Sequence, residues 1–272
     1  MIRLLMAQVY RNIRKPWFIL VLVATFVLTV WLAVSPFRDQ YSYQGFMNRY
    51  GDMSPSTVSR FVLGEARPDL TVSDIYDVFM FAHKEEHLRQ GYLSTARGLA
   101  FIGCVIPAFF VGRELGKRKI RAVLIPGQSR AAVFIWIVVR YFLAAFILIT
   151  ASLGMVRVQW SVEPGQFEHF YMVNTQLRFV LYCLCVFSGM MFVAFLVKNP
   201  IPTAIASLVF TGIAALTGKL IPHISPVGEL LMENYWYAET GPEFWRPHVI
   251  VSFIVIAVFT AASWLIFRRR EV

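Results

Sequence analysis

The densest group of metal-ligand residue types in the chain is His83-Lys84-Glu85-Glu86-His87. Its order fits the H-x-x-E-H arrangement of inverted zinc proteases. On a helix, His83 and His87 share a face one turn apart and could hold a zinc ion, with Glu86 as base and Glu163 as a third ligand. The same residues also make an ordinary solvated helix with ion-paired ends, and no protease cleft accompanies them. We therefore read a solvated helix and keep His83 and His87 only as weak metal candidates. Gly212 to Lys219 (GIAALTGK) approaches a phosphate loop. It fails in two ways: five residues separate the glycines, and Leu220 follows the lysine where Ser or Thr is needed. The chain is thus expected to bind no ATP, to hold no cofactor of its own and to carry no catalytic residue. Arg97 and Arg140 are charges within apolar runs. Such arginines either snorkel to the headgroups, Arg97 outward and Arg140 inward, or mark a transport pathway.

The elements that carry these residues are apolar. Of 272 residues, 57% are hydrophobic and 15% charged, against about 25% charged in ordinary soluble domains. Too little polar surface remains to clothe a water-soluble globule, so the bilayer must act as solvent. Runs near the length needed to cross hydrocarbon predict an all-α integral membrane protein with six transmembrane helices, at 17–35, 95–111, 137–156, 179–197, 201–218 and 249–267. Cys104, Cys183 and Cys185 fall inside these runs, so no disulfide framework is indicated. Residues 1–15 place Ile2, Leu5, Met6, Val9 and Ile13 on one side with arginines opposite, the pattern of an amphipathic elbow helix lying on the membrane surface. Residues 36–94 form an outer loop with two short helices expected near Ser56 to Leu63 and Ser73 to Leu93. Residues 219–248, interrupted by Pro222, Pro226 and Pro242, form a broken outer segment before the last span. The whole is one transmembrane domain.

Orientation follows the positive-inside rule. With both termini in the cytoplasm, the inner segments collect Arg3, Arg11, Arg14, Lys15, Lys198, Arg268, Arg269, Arg270 and the basic residues of a loop at 112–130, against only Glu114 and Glu271. Every other acidic residue falls outside. Trp17, Trp136 and Trp264 lie at inner boundaries, and Trp31, Trp160, Trp236 and Trp245 at or beyond outer ones, where amphipathic rings prefer to sit. Net charge of +10 distributed this way points to lipid headgroups and not to nucleic acid.

The 112–130 loop is the most informative segment. Phe109 and Val111-Gly112-Arg113-Glu114, then Ile120-Arg121-Ala122-Val123-Leu124, then Gly127-Gln128-Ser129-Arg130 resemble bacterial ABC exporter permeases of the second type, in the branch of bacitracin-resistance and lantibiotic-immunity permeases. Topology is similar along the whole chain, and specific letters over some twenty residues. Where those relatives show a Gly-Thr pair before the Ile-Arg stretch, this chain has Arg118-Lys119. The resemblance implies a permease subunit in a bacterial cell membrane. It pairs with a second permease, identical or paralogous, and with cytosolic ABC ATPase subunits that bind ATP and Mg. It also implies a cytosolic coupling helix from Glu114 to Leu124, with Arg113, Glu114, Lys117, Arg118, Lys119, Ile120, Arg121 and Leu124 contacting the ATPase or lipid phosphates. The substrate would be an amphipathic peptide, antibiotic or lipid-like molecule. The alternatives are a secondary carrier, a membrane sensor or scaffold, and a zinc-dependent membrane enzyme.

Overall fold

A computed structural model describes residues 16–41, 43–82, 84–115, 129–159, 169–220 and 242–269. Among them no strand occurs. In chain order the helices are α1 (Pro16–Tyr41), α2 (Tyr43–Tyr50), α3 (Pro55–Leu63), α4 (Val72–Ala82), α5 (Lys84–Ile102), α6 (Val105–Pro107), a π-helical turn (Ala108–Gly112), α7 (Arg130–Gln159), α8 (His169–Val197), α9 (Pro200–Leu220) and α10 (Pro242–Arg268). Four segments are long and apolar enough to cross a membrane: Gly91–Gly112, Arg130–Val156, Gln176–Val197 and Val249–Arg268. Phe18–Trp31 and Pro200–Ala214 add two shorter apolar stretches within α1 and α9. The chain is a helical membrane protein. The expected elbow at 1–15 and most of the broken segment at 219–248 lie outside the described residues.

The apolar helices pack around α8. In its apolar segment 72% of residues are buried, against 11% in that of α10, so α8 is the hub and α10 rides the rim. Rings knit one end together. Phe134 of α7 lies 5.4 Å from Phe195 of α8 and 5.1 and 5.7 Å from Trp264 and Phe267 of α10, between ring centroids. Such offset and tilted contacts add modestly to the area they bury. Glycine permits two close approaches. A Cβ on Gly189 of α8 would run into the Phe210 ring of α9, and one on Gly103 would sit 2.9 Å from the Phe187 ring. Small residues let helices approach closely in lipid, where dispersion contacts replace the hydrophobic drive.

The region between the first two apolar segments folds on its own small core of Phe46, Val58 and Ile75, closed by Tyr50, Val62, Tyr76 and Phe79. The region holds more elements than the two short helices the sequence indicates. The expected Ser73 to Leu93 helix is occupied by α4 and the start of α5, with the position between them outside the described residues, and α2 precedes both. Local signals set the ends. Ser54 caps α3 through its hydroxyl, Pro55 occupies the first turn, and Gly64 ends the helix at φ 79°, a left-handed conformation that glycine adopts without steric cost. At α4, the Thr71 backbone N–H donates to Asp74 Oδ2 at 2.9 Å while the Asp74 N–H donates to Thr71 Oγ1 at 3.2 Å, a reciprocal capping box.

Two outcomes test this packing. Gly189→Ala forces the Phe210 ring to move, and we expect a loss of about 1–3 kcal/mol, the usual range for overpacking, read as a lower detergent melting temperature. Gly154→Ala, where a Cβ meets nothing within 4 Å, should be neutral or stabilising. In the small α2–α4 cap, the Thr71 hydrogen bonds hold the Asp74 carboxyl below its ordinary value. A depressed folded value means the cap's contribution is present above the unfolded value and is lost as pH falls through the folded one. Asp74→Asn should therefore speed hydrogen exchange in α4 at neutral pH, with the difference from wild type lost on acidification through the lowered Asp74 value.

Candidate functional site

The segment Gly91–Gly112 is interrupted near its end. Gly103 and Cys104 form a turn, and Pro107 has no N–H to give to the Gly103 carbonyl. Ile106 N–H donates to that oxygen instead, at 2.9 Å. The chain then widens into the π-helical turn, in which the Arg113 N–H reaches back to the Ala108 carbonyl at 2.9 Å. Single π-turns inside helices are rare and concentrate at functional sites. This one rotates Glu114 out of the register that a continuous α-helix would have imposed.

Glu114 thereby meets Arg140 of α7, with Nη1 of Arg140 donating to Oε1 of Glu114 at 2.9 Å. The side chains are 2% and 14% exposed respectively, so the pair is screened from solvent. Arg140 lies between two rings, with its guanidinium carbon 5.3 Å from the Phe110 centroid and 5.4 Å from that of Trp136. Both distances allow cation–π attraction. Phe110 is itself fixed edge-on by Phe18 of α1 at 4.9 Å. By sequence Arg140 either snorkels toward the inner headgroups or marks a pathway. The structure buries it, because a carboxylate from the neighbouring loop reaches it and stabilises its charge in place.

The same corner touches α9. A Cβ on Gly112 would lie 3.0 Å from Thr203 Oγ1 and 3.3 Å from the Asn199 carbonyl oxygen, so glycine lets the chain pack closely against the tight α8–α9 turn. That turn places Lys198 at φ 71°, a strained conformation for a residue with a side chain. Thr203, Ser207 and Thr211 then run along the buried side of α9, and Thr211 Oγ1 donates to the Ser207 carbonyl at 3.0 Å. On the far side of the 112–130 loop, the exposed Arg130 donates from Nη1 to the Arg268 carbonyl of α10 at 3.0 Å. The loop's two ends are thus tied to different helices.

Of the residues expected to act in coupling, Arg113 is exposed and Glu114 half-buried. Lys117, Arg118, Lys119, Ile120, Arg121 and Leu124 lie outside the described residues. Arg97 is exposed on α5, far along the same segment from Glu114. His83 lies outside the described residues and His87 falls within the first turn of α5. Among the described residues no three His, Cys, Asp or Glu side chains converge as a metal site would require. Sequence reasoning missed Phe110, Trp136 and Thr203. The one usable signal was the Gly103…Pro107 pair, which marks a helix break and hence a change of face.

The ion pair makes a measurable prediction. Removing one partner strands a buried charge, so Glu114→Gln and Arg140→Gln should each cost about 3–5 kcal/mol. The double substitution should cost less than the two together, and a double-mutant cycle on unfolding in detergent checks it.

Residues 43–272 match a family described as Protein of unknown function (DUF2705). No curated protein and no solved structure matches the chain. With that match covering most of its length, the chain belongs to the DUF2705 family.

Proposed function

We propose that the chain is the membrane-spanning permease subunit of an ATP-driven ABC exporter, with six spans, both termini in the cytoplasm and a cytosolic coupling helix within residues 112–130. In this reading it acts in a bacterial cell membrane beside a second permease and two ATPase subunits that bind ATP and Mg. It moves or extracts an amphipathic peptide, antibiotic or lipid-like substrate. The observation that carries the reading is the anchoring of the basic loop. One end is held to α7 by Glu114–Arg140, and the other reaches α10 through Arg130. A partner pushing on such a loop moves helices instead of merely bending a surface strand, which is what energy coupling between subunits requires. The six apolar stretches also contain no carboxylate, which disfavours a carrier driven by an intramembrane proton relay.

Charge reversal at Lys117, Arg118 and Lys119 should release a co-purifying ATPase while leaving the permease folded. Unchanged pull-down argues against coupling through this loop. Topology is checked in parallel. A cysteine replacing the exposed Glu65 should react with an impermeant reagent added to intact cells, and one replacing the exposed Ser129 should not. The native cysteines are all buried and leave the background low.

A further inference from the structure

α9 runs antiparallel to the broken end of the second apolar segment, with Thr203 beside Gly112 at one end of their contact and Thr211 beside Ala100 at the other. Thr203, Ser207 and Thr211 follow one another every four residues along this seam, a rise of about 12 Å, and all three are buried. Their hydroxyls are poorly served. Thr203 Oγ1 and Ser207 Oγ have no hydrogen-bond partner among the described residues, and Thr211 Oγ1 reaches the Ala100 carbonyl across the seam at 3.4 Å. A buried hydroxyl without a partner bears its full desolvation cost. Serine and threonine in helices ordinarily avoid that by donating to the carbonyl one turn back, as Thr25 does to Val21 at 2.7 Å. The seam thus satisfies its apolar atoms and leaves two of its polar ones wanting, and water entering it would reverse that balance. The surroundings of α9 favour movement. Gly112 offers no side chain to interlock with it, and only Lys198, held at φ 71°, and Asn199 join it to α8. Hinges are short links of this kind at element ends. The far side of α9, at Ile201, Ile205 and Val209, is exposed, so none of the described residues backs the helix there.

We propose that this seam is a gate: α9 swings about the Lys198–Asn199 link, and water enters between it and residues 100–112 to solvate Thr203 and Ser207. The gate is a property of the bundle and stands whether or not the chain is a permease.

Thiol chemistry reads the gate, because a cysteine reacts with a methanethiosulfonate as its thiolate, which forms only where water reaches it. The test uses the full chain in lipid vesicles, with the rate of the unaltered chain, whose described cysteines are buried, subtracted. Ser207→Cys should react with 2-aminoethyl methanethiosulfonate about tenfold or more faster than Thr25→Cys, a difference of about 1.4 kcal/mol in the free energy of opening. Thr25 is the control because its hydroxyl is also buried, yet is satisfied within α1. Adding Thr203→Val removes an unpartnered hydroxyl with little change of shape, which favours the closed seam. It should raise the melting temperature in detergent and slow the labelling of Ser207→Cys. If Ser207→Cys does not fold, Thr211→Cys, one turn along the same seam and also buried, takes its place with the same expectations. Equal reactivity of the seam cysteine and Thr25→Cys would overturn the gate, and so would labelling that Thr203→Val leaves unchanged. A lower melting temperature for Thr203→Val would also overturn it, by showing that water bridges the hydroxyls permanently in the closed bundle.

Discussion

A hydroxyl or guanidinium in hydrocarbon has no water to turn to, and the described helices are arranged around that constraint. Thr25, Thr150, Thr260 and Ser263 each donate to the carbonyl one turn earlier in their own helix. Each satisfies its hydroxyl locally, at the cost of a slight bend. Tyr141 cannot do this, and its hydroxyl instead donates across to the Phe187 carbonyl of α8 at 2.7 Å, joining two helices. Arg140 is the extreme case, because only an opposite charge compensates it, and that charge must come from another segment. The demand for Glu114 fixes how far the loop can drift from α7. The π-helical turn, the Phe110 ring and the glycine contact at the α8–α9 turn all lie around that one placement.

Within this frame the packing is asymmetric. α8 is surrounded, whereas α1, α9 and α10 each expose an apolar side, with Leu20, Ile201 and Phe253 all more than 60% exposed. Exposure of that kind is costly in water and neutral in lipid, so it marks where the bilayer or another subunit meets the bundle. The small α2–α4 cap obeys different physics. Its core is small, its helix ends carry hydroxyl, carboxyl and glycine caps, and its ion pair Arg67–Asp69 is long and exposed, worth little in solvent. Caps matter there because water competes for every backbone group.

The apolar helices were legible in the sequence because their signal is additive. Many consecutive apolar residues outvote any single exception, and the apolar segments Gln176–Val197 of α8 and Val249–Arg268 of α10 fall where hydropathy expects them, although both helices, like α7, begin earlier. α7 begins at Arg130, seven residues before the expected span at 137, because a helix does not end where its hydrophobicity does. The broken end of the second apolar segment was less legible. Gly103 and Pro107 announce a break, yet whether it resolves as a kink, a turn or a π-turn depends on what Phe187 and Thr203 leave room for.

Composition and periodicity alone determined that most of this chain is helical and belongs in lipid, since both follow from the chemistry of individual residues summed along short stretches. Tertiary structure decided the fate of each charge. Arg97 and Arg140 have the same side chain in similar apolar surroundings, and one is exposed while the other is locked to Glu114, twenty-six positions away. A pairing at that separation is set by where a helix breaks and which face it turns. The partner of a buried ion is a property of the assembled bundle, not of the residues that flank it.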